Sequence, residues 1–473
     1  MEKYEKVEIQ DLESSGYTKK DYIRNGVRLL FVVVVVCIGI YVISGGKKDQ
    51  QKDQQTAAAS STKEPSSTST PSTPSTPSTP SSVPQMVDLI LLKNATALGA
   101  VFDAQNFFLC IWMWESVCLD GSAPGYHFSK GFDSGAENWL VHFEGGGWCN
   151  TVESCSKRAL SPLGSSKFME KAPFSGILSN KKSENPDFYN WNKVMIRYCD
   201  GASFTGNPNS EQEKTTKLFF RGQLIWESIN EELLSLGMDK AKQALLSGCS
   251  AGGLAALIHC DYFAENFNEE INVKCLSDAG FFVDVKDASG GFTMRNYFHD
   301  LEKFQGVADS MQEDCLNVAP KPFQCLFPRN FVKYILTPVF IVNPSYDPWQ
   351  IKHVVLPPSP DHGWDNCTKS IAQCNPSQLE ILKGNQDTML KTMRHLQTHK
   401  DIGMFIDSCF SHCRTDNDKW HLASPKINSK TIAESVGDWF FNRKEVKSID
   451  NCPYPCNPTC GKIEDSPDAL GDY

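Results

Sequence analysis

The strongest constraint on the fold is a fifteen-residue segment, QALLSGCSAGGLAAL, that spans Gln243–Leu257. Its first part, Gln243–Ser247, is apolar and predicts a strand, and Ala251–Cys260 predicts a helix built from small residues. Between them, GCSAG forms a G-x-S-x-G turn around Ser250. Glycines flank the serine in such a turn because side chains there would collide with the strand and the helix. The segment therefore predicts an α/β fold with Ser250 as a nucleophile at the end of a strand.

A glycine-rich turn follows a second predicted strand. Trp139–Phe143 reads WLVHF and is followed by EGGGW. Serine hydrolases use backbone N–H groups from such a turn to bind the negatively charged oxygen of the reaction intermediate. We predict an oxyanion hole formed by Gly146 or Gly147 together with Ala251, and Trp148 as a candidate substrate contact. The alternative is a tight turn that merely requires positive φ angles.

The acid and the base of a serine triad are expected later in the chain, in that order. The strand pattern at Thr337–Asn343 is followed by Asp347, and the pattern at Ile402–Ile406 is followed by His412. The carboxyl ends of parallel strands meet at one edge of a sheet, where Ser250 is also expected. We therefore predict a catalytic group of Ser250, Asp347 and His412.

Each assignment has an alternative. Asp278 also follows an apolar stretch, but it comes early for the acid, and a structural hydrogen-bond acceptor is the competing interpretation. His421 lies nine residues after His412 and is the alternative base.

Composition limits the function and the compartment. The chain has 473 residues and a net charge of −10, so no basic balance indicates nucleic acid as a partner. Its eighteen cysteines indicate disulfides and an oxidising compartment. Zinc binding is the alternative to disulfides for two closely spaced groups of residues. The first group is Cys409, His412 and Cys413, and the second is Cys452, Cys456 and Cys460. Cys37 lies in an apolar segment and Cys249 is taken as a buried thiol, so sixteen cysteines are left for at most eight disulfides. No metal or cofactor is expected.

The N-terminal region predicts membrane attachment. Residues 1–28 are expected to form a polar cytosolic tail, the uncharged apolar run Leu29–Ile43 a transmembrane signal anchor, and the Ser/Thr/Pro-rich residues 44–85 a disordered stalk. A cleaved signal peptide is the alternative to an anchor. The expected product is a single-pass type II membrane protein of the secretory pathway or a secreted protein.

Residues 86–473 are expected to form one catalytic domain. Asn94 and Asn366 each begin an N-x-Ser/Thr sequence and are predicted glycosylation sites, in agreement with a lumenal domain. Phe102–Val117 is unusually apolar for a surface loop and is either an insertion or an error of the gene structure.

Several collinear segments resemble the plant pectin acetylesterase family, to which the animal carboxylesterase Notum is more distantly similar. They are VHFEGGGWCNTVESCSKR, NPDFYNWNKVMIRYCDGASFTG, SGCSAGGLAALIHCDYF, CLSDAGFF, FIDSCFSHC and CPYPCNPTC. The resemblance implies a variant α/β-hydrolase-like fold with a central, mostly parallel sheet in a single disulfide-bonded domain. It also implies the removal of O-acetyl groups from pectin (homogalacturonan) through an acyl-enzyme intermediate on Ser250, with Asp347 and His412. The turn at Asp200 resembles a family segment near the active site and is a candidate substrate contact.

Two other functions stay open at this point. One is a Notum-like lipid deacylase, which the same catalytic group would serve. The other is a non-catalytic polysaccharide-binding protein that has kept the fold. The expected partners are acetylated pectin and, through the N-terminal anchor, a membrane.

Overall fold

A nine-stranded sheet organises the part of the chain that the structure describes. This computed structural model describes residues 84–93, 116–207, 211–357 and 362–460. The order across the sheet is β11-β10-β9-β8-β7-β4-β6-β3-β2, and a separate two-stranded sheet pairs β1 with β5. The strands are β1 Gln85–Val87, β2 Leu89–Leu91, β3 Gly125–Ser129, β4 Asn138–Phe143, β5 Ala172–Phe174, β6 Asn192–Ile196, β7 Gln243–Cys249, β8 Asn272–Asp278, β9 Val339–Pro344, β10 Ile402–Asp407 and β11 Lys447–Ile449.

Most of the large sheet is parallel. All neighbours from β11 to β6 run in the same direction, whereas β3 pairs antiparallel with β6 and with β2 at the other edge. Parallel strands need crossover connections, and helices supply most of them. The predicted α/β-hydrolase-like fold with a central, mostly parallel sheet is confirmed.

Twelve α-helices and several shorter helical turns connect the strands within the described ranges. The α-helices are α1 Val152–Arg158, α2 Glu211–Thr216, α3 Gly222–Ser235, α4 Ala251–Ile258, α5 Cys260–Ala264, α6 Thr293–Gln305, α7 Glu313–Val318, α8 Pro328–Phe331, α9 Pro348–Gln350, α10 Asp365–Lys369, α11 Pro376–Leu396 and α12 Ile432–Phe440. A π-helix spans Ile351–Val355. The 3₁₀ turns are Asp133–Gly135, Ser166–Phe168, Gly176–Leu178, Met238–Lys240, Val307–Ser310, Pro322–Leu326, Val332–Tyr334, His362–Trp364, Ile371–Gln373 and Asp418–Trp420.

The central strands are buried on both faces. Along β7, Leu246 belongs to the cluster that α4 covers, whereas its neighbour Leu245 belongs to the cluster that α12 covers. Cys275 and Leu276 of β8 divide between the same two clusters. Successive residues of a strand point to opposite faces, so strands covered on both sides must be apolar throughout. This explains why the sequence shows continuous apolar runs instead of alternation.

Eight disulfides join cysteines of the described residues. The pairs are Cys118–Cys199, Cys149–Cys155, Cys249–Cys413, Cys260–Cys275, Cys315–Cys325, Cys367–Cys374, Cys409–Cys460 and Cys452–Cys456. The expected disulfide-bonded domain is therefore confirmed. The interpretation of Cys249 as a free buried thiol was wrong, because it bonds to Cys413 next to the base candidate.

The predicted tail, anchor and stalk lie outside the described residues, with the exception of two residues at the end of the stalk, 84 and 85. No helix of the described ranges combines the length and the apolar character needed to cross a membrane. Asn94 and most of Phe102–Val117 also lie outside these ranges. The last two residues of that segment, Ser116 and Val117, are buried.

Candidate active site

Ser250 sits at the sharp turn between β7 and α4, near the middle of the sheet. Its backbone has φ 58° and ψ −123°, a conformation that L-residues rarely adopt. The Ser250 N–H donates a hydrogen bond to the Asp278 carbonyl of the neighbouring strand at 2.8 Å. Because this turn is held in place by the sheet, Ser250 stands at the carboxyl edge, directly before the N-terminus of α4.

The glycines around Ser250 are required by close backbone contacts. A Cβ atom on Gly248 would lie 2.2 Å from the Gly252 carbonyl oxygen, and one on Gly252 would lie 2.3 Å from the Phe143 carbonyl oxygen. Real Cβ atoms do not approach backbone so closely. The steric explanation of the G-x-S-x-G pattern therefore holds for these atoms.

Asp347 and His412 are hydrogen-bonded to each other. His412 Nδ1 lies 2.7 Å from Asp347 Oδ2, and the side chains are 6% and 1% exposed, respectively. Asp347 Oδ1 accepts hydrogen bonds from the N–H groups of Trp349 and Gln350 at the start of α9. The carboxylate is therefore fixed by the helix N-terminus while its other oxygen orients the imidazole, with Nε2 left as the ring nitrogen for chemistry.

The environment of His412 favours its protonated form. Burial lowers the pKa of His412, but the Asp347 carboxylate raises it through its charge and hydrogen bond, and the charges of Asp278 and Asp416 raise it further. The net pKa lies above the ordinary histidine value. A base with this tuning accepts a proton readily and holds it as an imidazolium.

A disulfide ties the serine turn to the histidine loop. Cys249, the residue before Ser250, bonds to Cys413, the residue after His412, with their Cα atoms 5.6 Å apart. Ser250 and His412 are therefore held close through their immediate chain neighbours. The three candidate residues follow β7, β9 and β10, so the structure brings them to one edge of the sheet.

Gly146 and Gly147 continue the glycine turn after Gly145, which packs against Cys249 and Ser250. Their φ angles are 144° and 63°. Their carbonyl oxygens accept hydrogen bonds from Arg158 and from the Tyr198 hydroxyl, each at 2.7 Å. Within the described ranges, no hydrogen bond uses the N–H of either glycine or that of Ala251. The preceding Gly145 packs against the Ser250 turn, and the oxyanion-hole role of these N–H groups stays a prediction.

An aromatic wall adjoins His412. Trp349 stacks near the imidazole with ring centres 6.2 Å apart, and Trp148 packs edge-on to Trp349 at 5.5 Å. Trp148 is only 4% exposed. Its Nε1–H donates to Ser203 Oγ at 2.7 Å, and the Ser203 hydroxyl donates to the Ala251 carbonyl. Trp148 therefore supports this wall, and Trp349 is its half-buried member.

Asp200 lies in the interior of its turn. It is fully buried, and its Oδ2 accepts hydrogen bonds from the N–H groups of Ala202 and Phe204. Burial raises the pKa of Asp200 to about 6, against the lowering effect of these hydrogen bonds and of Arg158. The geometry shows a residue that shapes the turn carrying Ser203. Direct contact with substrate stays a prediction for both Asp200 and Trp148.

The alternative residues occupy different places. His421 forms a 3.3 Å contact with the Thr431 hydroxyl. Asp278 is fully buried and accepts hydrogen bonds from the loop after His412, as the structural interpretation expected. The cysteines of both proposed zinc groups are bonded in disulfides, so their sulfurs are not thiolates.

Comparison with known proteins places the chain in a family. The family model described as Pectinacetylesterase matches residues 81–461. The chain belongs to the pectinacetylesterase family. It is 56% identical to pectin acetylesterase 5 of Arabidopsis thaliana over 350 residues, which are 73% of this chain and 82% of that protein. Pectin acetylesterase 4 of the same plant is 52% identical, over 73% of this chain and 85% of its own length. The palmitoleoyl-protein carboxylesterase notum1a of Danio rerio is 30% identical, over 74% and 71%. This pectinacetylesterase family member is a carboxylic ester hydrolase.

Sequence reasoning missed three parts of this candidate site. They are the Cys249–Cys413 bond, the hydrogen bonds of Asp278 to the histidine loop, and the role of Arg158 in holding the Gly146 carbonyl. The adjacency of a cysteine to Ser250 and of another to His412 was the available signal for the first. The other two depend on sheet order and loop path, for which the sequence carries no local pattern.

Proposed function

We propose that this protein removes O-acetyl groups from pectin, with Ser250 as nucleophile, His412 as base and Asp347 as the acid that orients it. The observation that carries the proposal is the 2.7 Å contact between His412 and Asp347 in a loop bonded through Cys413 to the residue before Ser250. This is the arrangement of groups that activates a serine for acyl transfer.

The reaction proceeds in two halves. His412 Nε2 takes the Ser250 proton as Ser250 Oγ attacks the acetyl carbonyl, and the same proton then passes to the leaving sugar oxygen. The acetyl group stays on Ser250 as an ester. His412 then takes a proton from water as the water attacks this ester. It returns that proton to Ser250 Oγ as acetate leaves, which restores the Ser250 hydroxyl.

The backbone stabilises the oxyanion of both halves. The N–H groups of Ala251 and of Gly146 or Gly147 are the proposed donors, and the N-terminus of α4 adds a partial positive charge. Arg158 and Tyr198 support this arrangement because they fix the glycine carbonyls. Loss of one such donor in a serine hydrolase costs about 2.7–4 kcal/mol in the transition state.

Covalent trapping tests the nucleophile. We expect a fluorophosphonate to inactivate the purified full-length protein and to modify the peptide that contains Ser250. The Ser250→Ala variant should neither be modified there nor hydrolyse nitrophenyl acetate. Modification of another serine, with full activity in Ser250→Ala, would eliminate this mechanism and leave a polysaccharide-binding role to be tested.

The acyl group separates acetylesterase from lipid deacylase. Four relatives named pectin acetylesterase are 43–56% identical to this chain, and four named palmitoleoyl-protein carboxylesterase are 25–30% identical. A long-chain pocket would favour longer esters steeply, since each buried methylene contributes about 0.8 kcal/mol. We expect kcat/KM to fall from nitrophenyl acetate through butyrate to octanoate. A steady rise toward octanoate would favour the lipid deacylase.

The proposed location is the lumenal or outer side of a secretory membrane, in the Golgi or the cell wall. Leu29–Ile43 would anchor the chain, and the disulfides fit an oxidising compartment. Asn366 is exposed and available for a glycan, and Asn94 is the second proposed site. In intact vesicles the catalytic domain should resist protease and lose glycans only when detergent admits a glycosidase. Digestion without detergent would contradict this topology.

A further inference from the structure

Asp278 makes contacts on both sides of the active-site edge. It ends β8, between β7 with Ser250 and β9 with Asp347. Its backbone carbonyl accepts the hydrogen bond of the Ser250 N–H. Its side-chain Oδ2 accepts from the N–H of Arg414 and, at 2.7 and 3.0 Å, from the N–H and hydroxyl of Thr415. One residue therefore contacts the nucleophile turn and the two residues that follow Cys413.

We propose that Asp278 is a positioning residue that fixes the His412 loop against the Ser250 turn. The carboxylate gathers two successive backbone N–H groups and a hydroxyl, so it determines the path of the chain that leaves His412. The disulfide between Cys249 and Cys413 joins the same two segments on the His412 side of these contacts. This inference rests on the proposed function, in which His412 must reach Ser250.

The burial of Asp278 supports its role in positioning the His412 loop. Its side chain is fully buried, and its second oxygen, Oδ1, has no hydrogen-bond partner among the described residues. Burial of a carboxylate is unfavourable unless charge and hydrogen bonds compensate for it. Here the compensating donors all belong to the loop that carries the base, which makes the loop position depend on this one side chain.

Asp278 also acts on His412 through its charge. The charged and titratable groups around this pair are Asp347, Asp407, Arg414, Asp416 and His142. Burial raises the pKa of Asp278, and Arg414 lowers it through its charge and its backbone N–H. The Asp278 charge in turn contributes to the raised pKa of His412. A neutral residue at 278 should therefore move the acid limb of kcat/KM to lower pH.

Two variants of the full-length protein test the inference with nitrophenyl acetate. Asp278→Ala removes all three side-chain contacts, and we expect kcat to fall about 10²-fold with little change in KM, because a small misplacement of a catalytic group has this effect. Asp278→Asn keeps the shape and removes the charge. It should fold, and its acid limb should lie at lower pH than that of the unmodified protein.

Asp287→Ala is the matched control. Asp287 also accepts hydrogen bonds from two backbone N–H groups and from hydroxyls, those of Ser289 and Thr293, but only within its own loop. It should keep kcat and its pH profile.

Any one of three results would overturn the inference. The first is a folded Asp278→Ala variant that keeps at least half of the original kcat. The second is an Asp287→Ala variant that loses as much kcat as Asp278→Ala, and the third is an Asp278→Asn variant whose acid limb does not shift. If the unmodified protein neither hydrolyses the ester nor reacts with a fluorophosphonate at Ser250, the proposed function fails as well. Normal activity in the Asp278 variants of an active enzyme would overturn only the positioning role.

Discussion

Ser250, Asp347 and His412 should behave as one unit when they are substituted. In serine hydrolases, loss of the serine or the histidine alone costs about 10⁶-fold in kcat, and further substitutions add little. We expect Ser250→Ala and His412→Ala to lose activity to the same level as the double variant. Asp347→Asn should lose less, because the base survives in a poorer orientation.

Steady-state hydrolysis of nitrophenyl acetate by the single and double variants measures this. His421→Ala is the control and should remain active, because this side chain contacts Thr431. A large loss in His421→Ala with little loss in His412→Ala would move the base to His421.

The raised pKa of His412 predicts the pH dependence. Only the neutral imidazole accepts the serine proton, so kcat/KM should rise with pH through the His412 pKa and be lost as pH falls below it. Since that pKa is raised, the midpoint of the acid limb should lie above the ordinary histidine value.

The pH profile of Asp416→Asn provides the comparison. The Asp416 charge raises the pKa of His412, so its removal should move the limb to lower pH. A midpoint at or below the ordinary histidine value in the unmodified protein would contradict the proposed environment of His412.

At the residue level the sequence predicts which residues meet at the sheet edge better than it predicts the contacts that hold them there. The order Ser250, Asp347, His412 follows from loops after apolar runs, and the structure brings these residues to one edge. Cys249 shows the limit, because a cysteine inside a buried turn reads as a free thiol until its partner, 164 residues away, is known. The local signal for this contact is that each cysteine adjoins a residue of the predicted catalytic group.

The Cys249–Cys413 disulfide is expected to matter more for activity than a disulfide elsewhere. It joins the serine turn to the histidine loop, so its loss should increase the freedom of both. We predict that the double variant Cys249→Ala/Cys413→Ala loses at least tenfold in kcat while KM for nitrophenyl acetate changes little.

The pair Cys315–Cys325, which joins α7 to the 3₁₀ turn Pro322–Leu326, is the control. The double variant Cys315→Ala/Cys325→Ala should keep its kcat, and any loss should be confined to thermal stability. Equal losses of kcat in both double variants would show that the bond beside Ser250 has no special role.

Secondary structure around the site was largely predictable. The predicted strand Ile402–Ile406 differs from the observed β10 by one residue, and the predicted helix after Ser250 ends two residues later than α4. Apolar runs bounded by glycine or polar residues explain this success. The order of the strands in the sheet was not predictable, because the position of β8 between β7 and β9 depends on long-range packing. This order brings Asp278 to the site.

The charge of the whole molecule predicts how salt acts on a polymeric substrate. The chain has a net charge of −10, and pectin carries carboxylates, so the two repel each other at long range. The lysines near the glycine turn do little to offset this, because Lys157, Lys167 and Lys171 pair with Glu153, Asp120 and Asp88.

We therefore expect KM for acetylated pectin to fall as ionic strength rises to about 0.15 M, where the Debye length is ~8 Å. Nitrophenyl acetate, which is neutral, serves as the control and should show no such change. A rise of KM for pectin with salt would instead indicate that local positive groups dominate binding.

The decisive experiment for the proposed deacetylation is to measure the acetate that the full-length protein releases from acetylated pectin. Acetate is quantified over time for the unmodified protein and for Ser250→Ala, which keeps the backbone around the turn but has no nucleophile. We predict steady release by the unmodified protein, none above background by Ser250→Ala, and competition between pectin and nitrophenyl acetate. No release from pectin by a protein that hydrolyses nitrophenyl esters, or equal release by Ser250→Ala, would contradict the account.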